Sequence, residues 1–363
     1  MDTGARRPTP TAAPQRRFVS SFSVVHVAGI DIRVHVSFFL LVLLFAAIFS
    51  GPGAPGILAG LGWLVAIFTC VVVHELAHSL VARRRGASVH EIVLLPIGGV
   101  SKLENLPETP ADEFAIAIAG PAASLGLAAA AGLVAALSRA PVLPIDFIEG
   151  ELVARLMWFN LIVGAFNLLP AFPLDGGRVL RSILERRYDL ERATHVAARV
   201  GRVLALALAA VGVFVDLWLV LIGVFVYFGA TTEETATTIH VRLHGRRLAD
   251  VMLRDPVTLD PATPTSELGA LPQRTAQRVF PVVGAEGYVG LVRLRSALPG
   301  LPGSSAADLA DRTPALAPTA LIEEDALPLI VGSPARAVAV ADHGRIVGLV
   351  CAEDIEHLLA DDA

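Results

Sequence analysis

The stretch His74-Glu75-Leu76-Ala77-His78 lies inside an apolar run that reaches back to Gly56. Side chains four residues apart on a helix share a face, so His74 and His78 can each turn an imidazole nitrogen toward one Zn²⁺. Glu75, beside the first histidine, is placed to reach water at that metal and act as a base. A pattern this short also arises by chance, so its surroundings carry the weight. Ionisable groups in hydrocarbon cost roughly 2.5–3.5 kcal/mol each on insertion scales, and three within one turn argue for a metal site rather than packing.

Working outward, the chain has 363 residues, of which 54% are hydrophobic and 17% charged, with a mean hydropathy of +0.63. Such values describe a polytopic membrane protein. Nearly all long apolar runs fall between Val36 and Ala230, and charges return at ordinary density after Thr231. The expectation is a transmembrane metalloprotease-type domain over residues 21–232 followed by a cytosolic one over 245–360. Residues 1–20 are rich in Arg, Pro and Thr without an apolar core and read as a disordered tail, not a leader. The net charge of −5 offers no basic face, which excludes nucleic acid as a partner. Cys70 and Cys351 form no CxxC pattern and suggest no disulfide.

Along the chain, residues 22–34 read as a short surface hairpin turning at Gly29. Apolar runs at Val36–Phe49, Ile57–Ala82, Phe114–Leu137, Leu152–Leu169, Val203–Val215 and Leu217–Ala230 predict about six transmembrane helices. Ser88–Leu103, broken by Pro96 and Gly98-Gly99, reads as a strand or re-entrant hairpin. Gly120-Pro121-Ala122-Ala123-Ser124 offers small residues for close helix approach. Arg and Lys concentrate in segments that all face one side if the N-terminus is inside, which predicts cytoplasmic N- and C-termini in a multi-pass cell-membrane protein.

The region after the membrane repeats itself. Gly290 and Gly348, Asp250 and Asp308, Pro256 and Pro314, and Val292 and Val350 are all 58 residues apart. A gapless repeat of this kind is one supersecondary unit used twice, here over about 245–302 and 303–360, with an α/β composition whose sheets can pack together.

Two histidines and a water leave zinc one protein ligand short. Asp175 is the first choice, because the Pro/Gly breaks beside it free the backbone at membrane depth. Cys70, one turn before His74, is the rival. Together, His74-Glu75-Leu-Ala-His78 and Asn167-Leu-Leu-Pro170-Ala-Phe-Pro173-Leu-Asp175-Gly176 resemble the paired motifs of the site-2 proteases, the intramembrane zinc metalloproteases. Gly120–Ser124 and Pro96–Gly99 also fit that family's pattern, and the repeat resembles a tandem CBS pair. The resemblance implies one Zn²⁺ per chain held by His74, His78 and Asp175, with Glu75 as catalytic base. It also implies that Asn167 helps hold the substrate or the developing oxyanion.

The implied activity is cleavage of single-pass transmembrane substrates such as membrane-bound regulators, within the lipid bilayer. Leu94–Val100 could receive an unwound substrate as an added strand. Family pairs that bind adenosine nucleotides carry Ser/Thr and Asp after the glycine. Of these only Asp354 is kept here, so a structural or homodimerising module is favoured over nucleotide binding. A different class remains open: a membrane transporter or metal-handling protein with a CBS sensor. Glu75 discriminates, since transport needs no base beside the first ligand.

Overall fold

The computed structural model describes residues 21–50, 56–96, 98–104, 109–268, 275, 277–294 and 304–360. The predicted tail over 1–20 lies outside them. The chain divides into two compact units, 1–233 and 234–363.

The first unit opens with β1 (Ser21–Val27) and β2 (Ile30–His35), joined by Ala28 and Gly29 at φ 51° and 81°. Positive φ at both turn residues matches the twist of an antiparallel pair, which is why this hairpin closes in two residues. After α1 (Phe38–Ile48) and α2 (Ile57–Arg84), β3 (Ser88–Leu95) returns parallel to β2, and β4 (Gly98–Glu104) pairs antiparallel with β3. The order is β1-β2-β3-β4, so β4 is an edge strand. Ile30, Ile32, Ile92 and Leu94 from the sheet are buried with Leu64, Phe68 and Ala82 of α2. The sheet is thereby fixed to the helix that carries the two histidines.

α3 (Pro110–Ser138) starts with a textually legible cap: Thr109 Oγ1 accepts from the Asp112 N–H at 3.2 Å, with Pro110 in the first turn. α4 (Leu152–Asn167) follows, then α5 (Asp175–Leu184), α6 (Leu190–Val215) and α7 (Leu217–Leu243). Four of these helices, α2, α3, α6 and α7, have 26 to 29 residues and the hydropathy to cross a bilayer. At 1.5 Å per residue they reach roughly 40 Å, against a hydrocarbon thickness of about 30 Å. α1 and α4 are apolar but have only 11 and 16 residues. Of the six predicted crossings, four are helices long enough to span, and the other two fall on these shorter apolar helices. Large apolar side chains such as Leu58, Val65, Leu137, Phe214 and Trp218 point outward, as they do where lipid replaces water as solvent. The basic stretch from Arg178 to Arg202 is helical in both α5 and the first half of α6. Asp216 separates α6 from α7 and accepts from the Trp218 N–H at 2.8 Å.

In the second unit the 58-residue spacing reappears in the backbone. α8 (Leu248–Val251), β6 (Val279–Gly284) and β7 (Gly287–Arg293) recur as α10 (Ala306–Leu309), β8 (Ala337–Asp342) and β9 (Arg345–Cys351). β5 (Leu253–Arg254) and α9 (Thr265–Leu268) belong to the first copy; α11 (Leu327–Gly332) and α12 (Ala352–Ala360) belong to the second. The copies exchange contacts symmetrically. Leu253 of the first pairs with Leu349 of the second, and Asp311 of the second pairs with Leu291 of the first. A Cβ at Gly348 would strike Met252, and one at Gly290 would strike the Asp311 carbonyl, which explains why a glycine recurs at this point. Val279, Leu291, Ala337, Ala339 and Leu349 bury the seam between copies.

Candidate metal centre

α2 is apolar until Arg83 and Arg84 in its last turn, and the i, i+4 spacing puts His74 and His78 on the face that meets α3. Each imidazole is oriented by a bond at Nδ1. His74 Nδ1 lies 2.9 Å from Ser124 Oγ, and His78 Nδ1 donates to the Ile116 carbonyl at 2.7 Å. With Nδ1 engaged, Nε2 of both rings is free to face a metal, the usual outer support of a histidine ligand. α3 runs through Pro121, whose missing N–H loosens the helix next to the carbonyl that His78 uses.

Asp175 comes from another direction. It opens α5, and the turn before it is folded back tightly. A Cβ at Gly176 would hit the Leu168 and Leu169 carbonyls, and one at Gly177 would lie 2.6 Å from the Phe172 amide nitrogen. The two glycines after the aspartate are therefore steric requirements of the turn. α5 is held by Arg181, whose Nε donates to Glu113 of α3 at 2.9 Å and Nη1 to Glu233 of α7 at 3.1 Å. Its guanidinium also stacks 5.2 Å over Phe172.

The result is three convergent ligand atoms. His74 Nε2 to Asp175 Oδ2, His78 Nε2 to Asp175 Oδ2 and His74 Nε2 to His78 Nε2 are each 3.2 Å. Metal–ligand bonds of about 2.0–2.2 Å place tetrahedral zinc ligands roughly 3.3–3.5 Å apart, so the spacing fits a zinc ion. Room for it is left by Gly120, where a Cβ would collide with both Nε2 atoms. The donor set is chemically suited: two imidazoles and a carboxylate, with a fourth position left for water.

Cys70 is not part of this group. It receives a contact from Asn160 Nδ2 at 3.2 Å and is set one turn too early on α2. Glu75 lies against the edge strand: a Cβ at Gly99 would stand 2.5 Å from Glu75 Cγ and 3.1 Å from Oε1. Asn167 ends α4 and donates from Nδ2 to Val163 O at 3.0 Å, with no contact to the three ligands among those described. Sequence reasoning missed Ser124, the Ile116 carbonyl and the Arg181–Glu113–Glu233 clamp. Gly120 and Ser124 were visible as small residues and as part of the family's pattern, without a role, although their i, i+4 spacing matches that of the two histidines.

In the second unit, Asp354 Oδ2 accepts from the Cys351 N–H at 2.7 Å and caps α12. Arg293 bridges the copies, donating to Ala335 O at 2.6 Å and to Glu353 at 2.8 Å. Burial pushes the Cys351 thiol up to about 12, so it stays protonated and unreactive.

A largely buried His-His-Asp centre beside a glutamate, set among helices long enough to cross a bilayer, fits an integral-membrane zinc metalloprotease. The Peptidase family M50 profile matches residues 62–143 and 145–208, and the CBS domain profile matches residues 248–302. Zinc metalloprotease MJ0392 of Methanocaldococcus jannaschii is 33% identical over 275 residues, which is 75% of this chain and 78% of that one. Rip3 of Mycobacterium tuberculosis is 36% identical over 370 residues, spanning 92% of this chain and 91% of its own. The solved site-2 protease from M. jannaschii is 35% identical and covers 59% of this chain and 95% of that one, with a TM-score of 0.45. The chain belongs to peptidase family M50, the site-2 type of intramembrane zinc metalloprotease, and carries a CBS domain.

Proposed function

We propose that this protein cleaves single-pass transmembrane proteins, such as membrane-bound regulators, through one zinc ion held by His74, His78 and Asp175. The observation that carries the reading is the meeting of those three ligand atoms at 3.2 Å with Glu75 lodged against Gly99 of an edge strand. Zinc bound there supplies Lewis acidity, activating water and polarising the scissile carbonyl. Glu75 accepts the proton of the attacking water and passes it to the leaving amine. Ser124 and the Ile116 carbonyl hold the two imidazoles in the tautomer that leaves Nε2 unprotonated.

A substrate helix has its carbonyls satisfied internally and must unwind before it can react. The free edge of β4 can accept the unwound segment by strand addition, next to Glu75. Asn167 serves the substrate or the oxyanion, and to do so its amide must leave the Val163 carbonyl. The membrane domain is assigned to residues 21–232 and the tandem CBS pair to 245–360, with both termini in the cytoplasm. The CBS pair is assigned a structural or homodimerising role, because the Asp354 carboxylate is committed to capping α12. Adenosine nucleotide binding is the lesser reading.

Glu75→Gln tests the enzyme mechanism. It should abolish cleavage of a reconstituted transmembrane substrate while the zinc content stays at the wild-type level. Cleavage surviving in this variant would refute Glu75 as the base.

A further inference from the structure

Among the described residues, one other group of ligating side chains comes together, wholly within the second unit. His240 and His244 stand four apart at the end of α7 and share a face, and Glu323 reaches them from the second repeat. One ligand atom from each lies within 4.8 Å of the others. His240 Nδ1 is 2.8 Å and His244 Nδ1 3.8 Å from the two Glu323 oxygens, and the ring centroids are 4.9 Å apart. The two nitrogen–oxygen distances bracket the roughly 3.3–3.5 Å between ligands of a tetrahedral ion.

Hydrogen bonding accounts for His240 and Glu323. It does not account for His244, which at 3.8 Å is too far from the second oxygen to bond. The carboxylate also sits where the repeat breaks its own symmetry. Glu323 is carried by a π-helical turn, Ile322–Ala326, whereas the residue 58 positions earlier, Thr265, opens the ordinary helical turn α9. π-Turns of this sort recur at functional sites. The side chains are open to solvent, His240 and His244 at 50% and 58% exposure and Glu323 at 26%, so water can complete the coordination.

We propose that His240, His244 and Glu323 bind a divalent transition cation of the zinc type, separate from the ion at His74, His78 and Asp175. Two imidazoles with one carboxylate suit zinc and its neighbours, whereas magnesium and calcium require oxygen ligands. Binding requires neutral imidazoles and an ionised carboxylate. A bound ion ties the last turn of α7 to the π-turn of the second repeat.

The test uses tag-free, full-length protein in detergent, stripped with chelator and dialysed against micromolar Zn²⁺ at pH 7.5, with metal counted by mass spectrometry. Wild type should take up two equivalents. His240→Ala/His244→Ala and Glu323→Gln should each take up one, and His74→Ala/His78→Ala should also take up one. Zinc should slow amide exchange at 240–246 and 322–326 in wild type and in His74→Ala/His78→Ala, but not in Glu323→Gln. Metal-free exchange in Glu323→Gln matching metal-free wild type would show that the variant is folded. One equivalent in wild type with none in His74→Ala/His78→Ala overturns the proposal. So do two equivalents retained by both second-site variants. His74→Ala/His78→Ala reports separately on the catalytic centre, so the two assignments fail independently.

Discussion

Gly120→Ala probes the metal centre with a single methyl group. The added Cβ would stand 2.5 Å from His74 Nε2 and closer still to His78 Nε2. Ordinary contact begins at 3.4 Å, so the His74 imidazole must withdraw by about 0.9 Å and that of His78 by more, whereas a zinc site tolerates errors of only about 0.2 Å. Overpacking of this kind costs about 1–3 kcal/mol. If that cost falls on the bound state, zinc dissociation should rise roughly 5- to 150-fold. Competition against a chromogenic chelator, with purified protein in detergent, reads the change directly. Gly126→Ala is the control: it lies on the same helix, and a Cβ there meets nothing within 4 Å. A Gly120→Ala protein that holds zinc within about twofold of wild type would refute the geometry of the centre.

Other perturbations separate the parts of the site. Ser124→Ala removes the partner of His74 Nδ1 and should weaken zinc binding about 10- to 100-fold in the same competition assay. Gly99→Ala should displace the Glu75 side chain it abuts, lowering the cleavage rate while elemental analysis finds zinc retained. Arg181→Ala leaves Glu113 and Glu233 without their cation and should destabilise the membrane unit by about 3 kcal/mol, measured by thermal unfolding in detergent. Arg181→Lys should restore only part of this, because one ammonium cannot serve both carboxylates in the same geometry. In the second unit, Arg293 beside Glu353 holds that carboxyl down at about 2. Its contribution is therefore present above the ordinary carboxylate range and lost as pH falls toward 2. With Glu353 half exposed the effect should stay below about 1 kcal/mol; protection against hydrogen exchange over β8 and β9, relative to the intrinsic rate, should weaken with acid in wild type and less so in Arg293→Ala.

Much of the architecture was legible because the bilayer and the repeat both leave periodic marks. A membrane helix must satisfy its own backbone, so its apolar length is written locally. The apolar runs Val203–Val215 and Leu217–Ala230 are shorter than the helices that contain them, α6 and α7, because each helix continues through polar residues outside the run. Hydropathy marks where lipid begins and ends, not where the backbone hydrogen bonds stop. The 58-residue offset survived into matching strand ends because each copy completes the other's sheet, so an insertion in one would break the pairing of both.

For the site, the sequence by itself determined the candidate ligand types, the shared face of His74 and His78, and the glutamate beside them, since helical spacing is a local property. That Asp175 and not Cys70 meets the imidazoles was decided only by the tertiary structure, as were the roles of Gly120, Ser124 and the Arg181 clamp. These depend on how α3 and α5 pack against α2, a matter of side-chain shape between segments distant in sequence. No local pattern encodes such contacts, because the space a glycine leaves open has meaning only once another helix fills it.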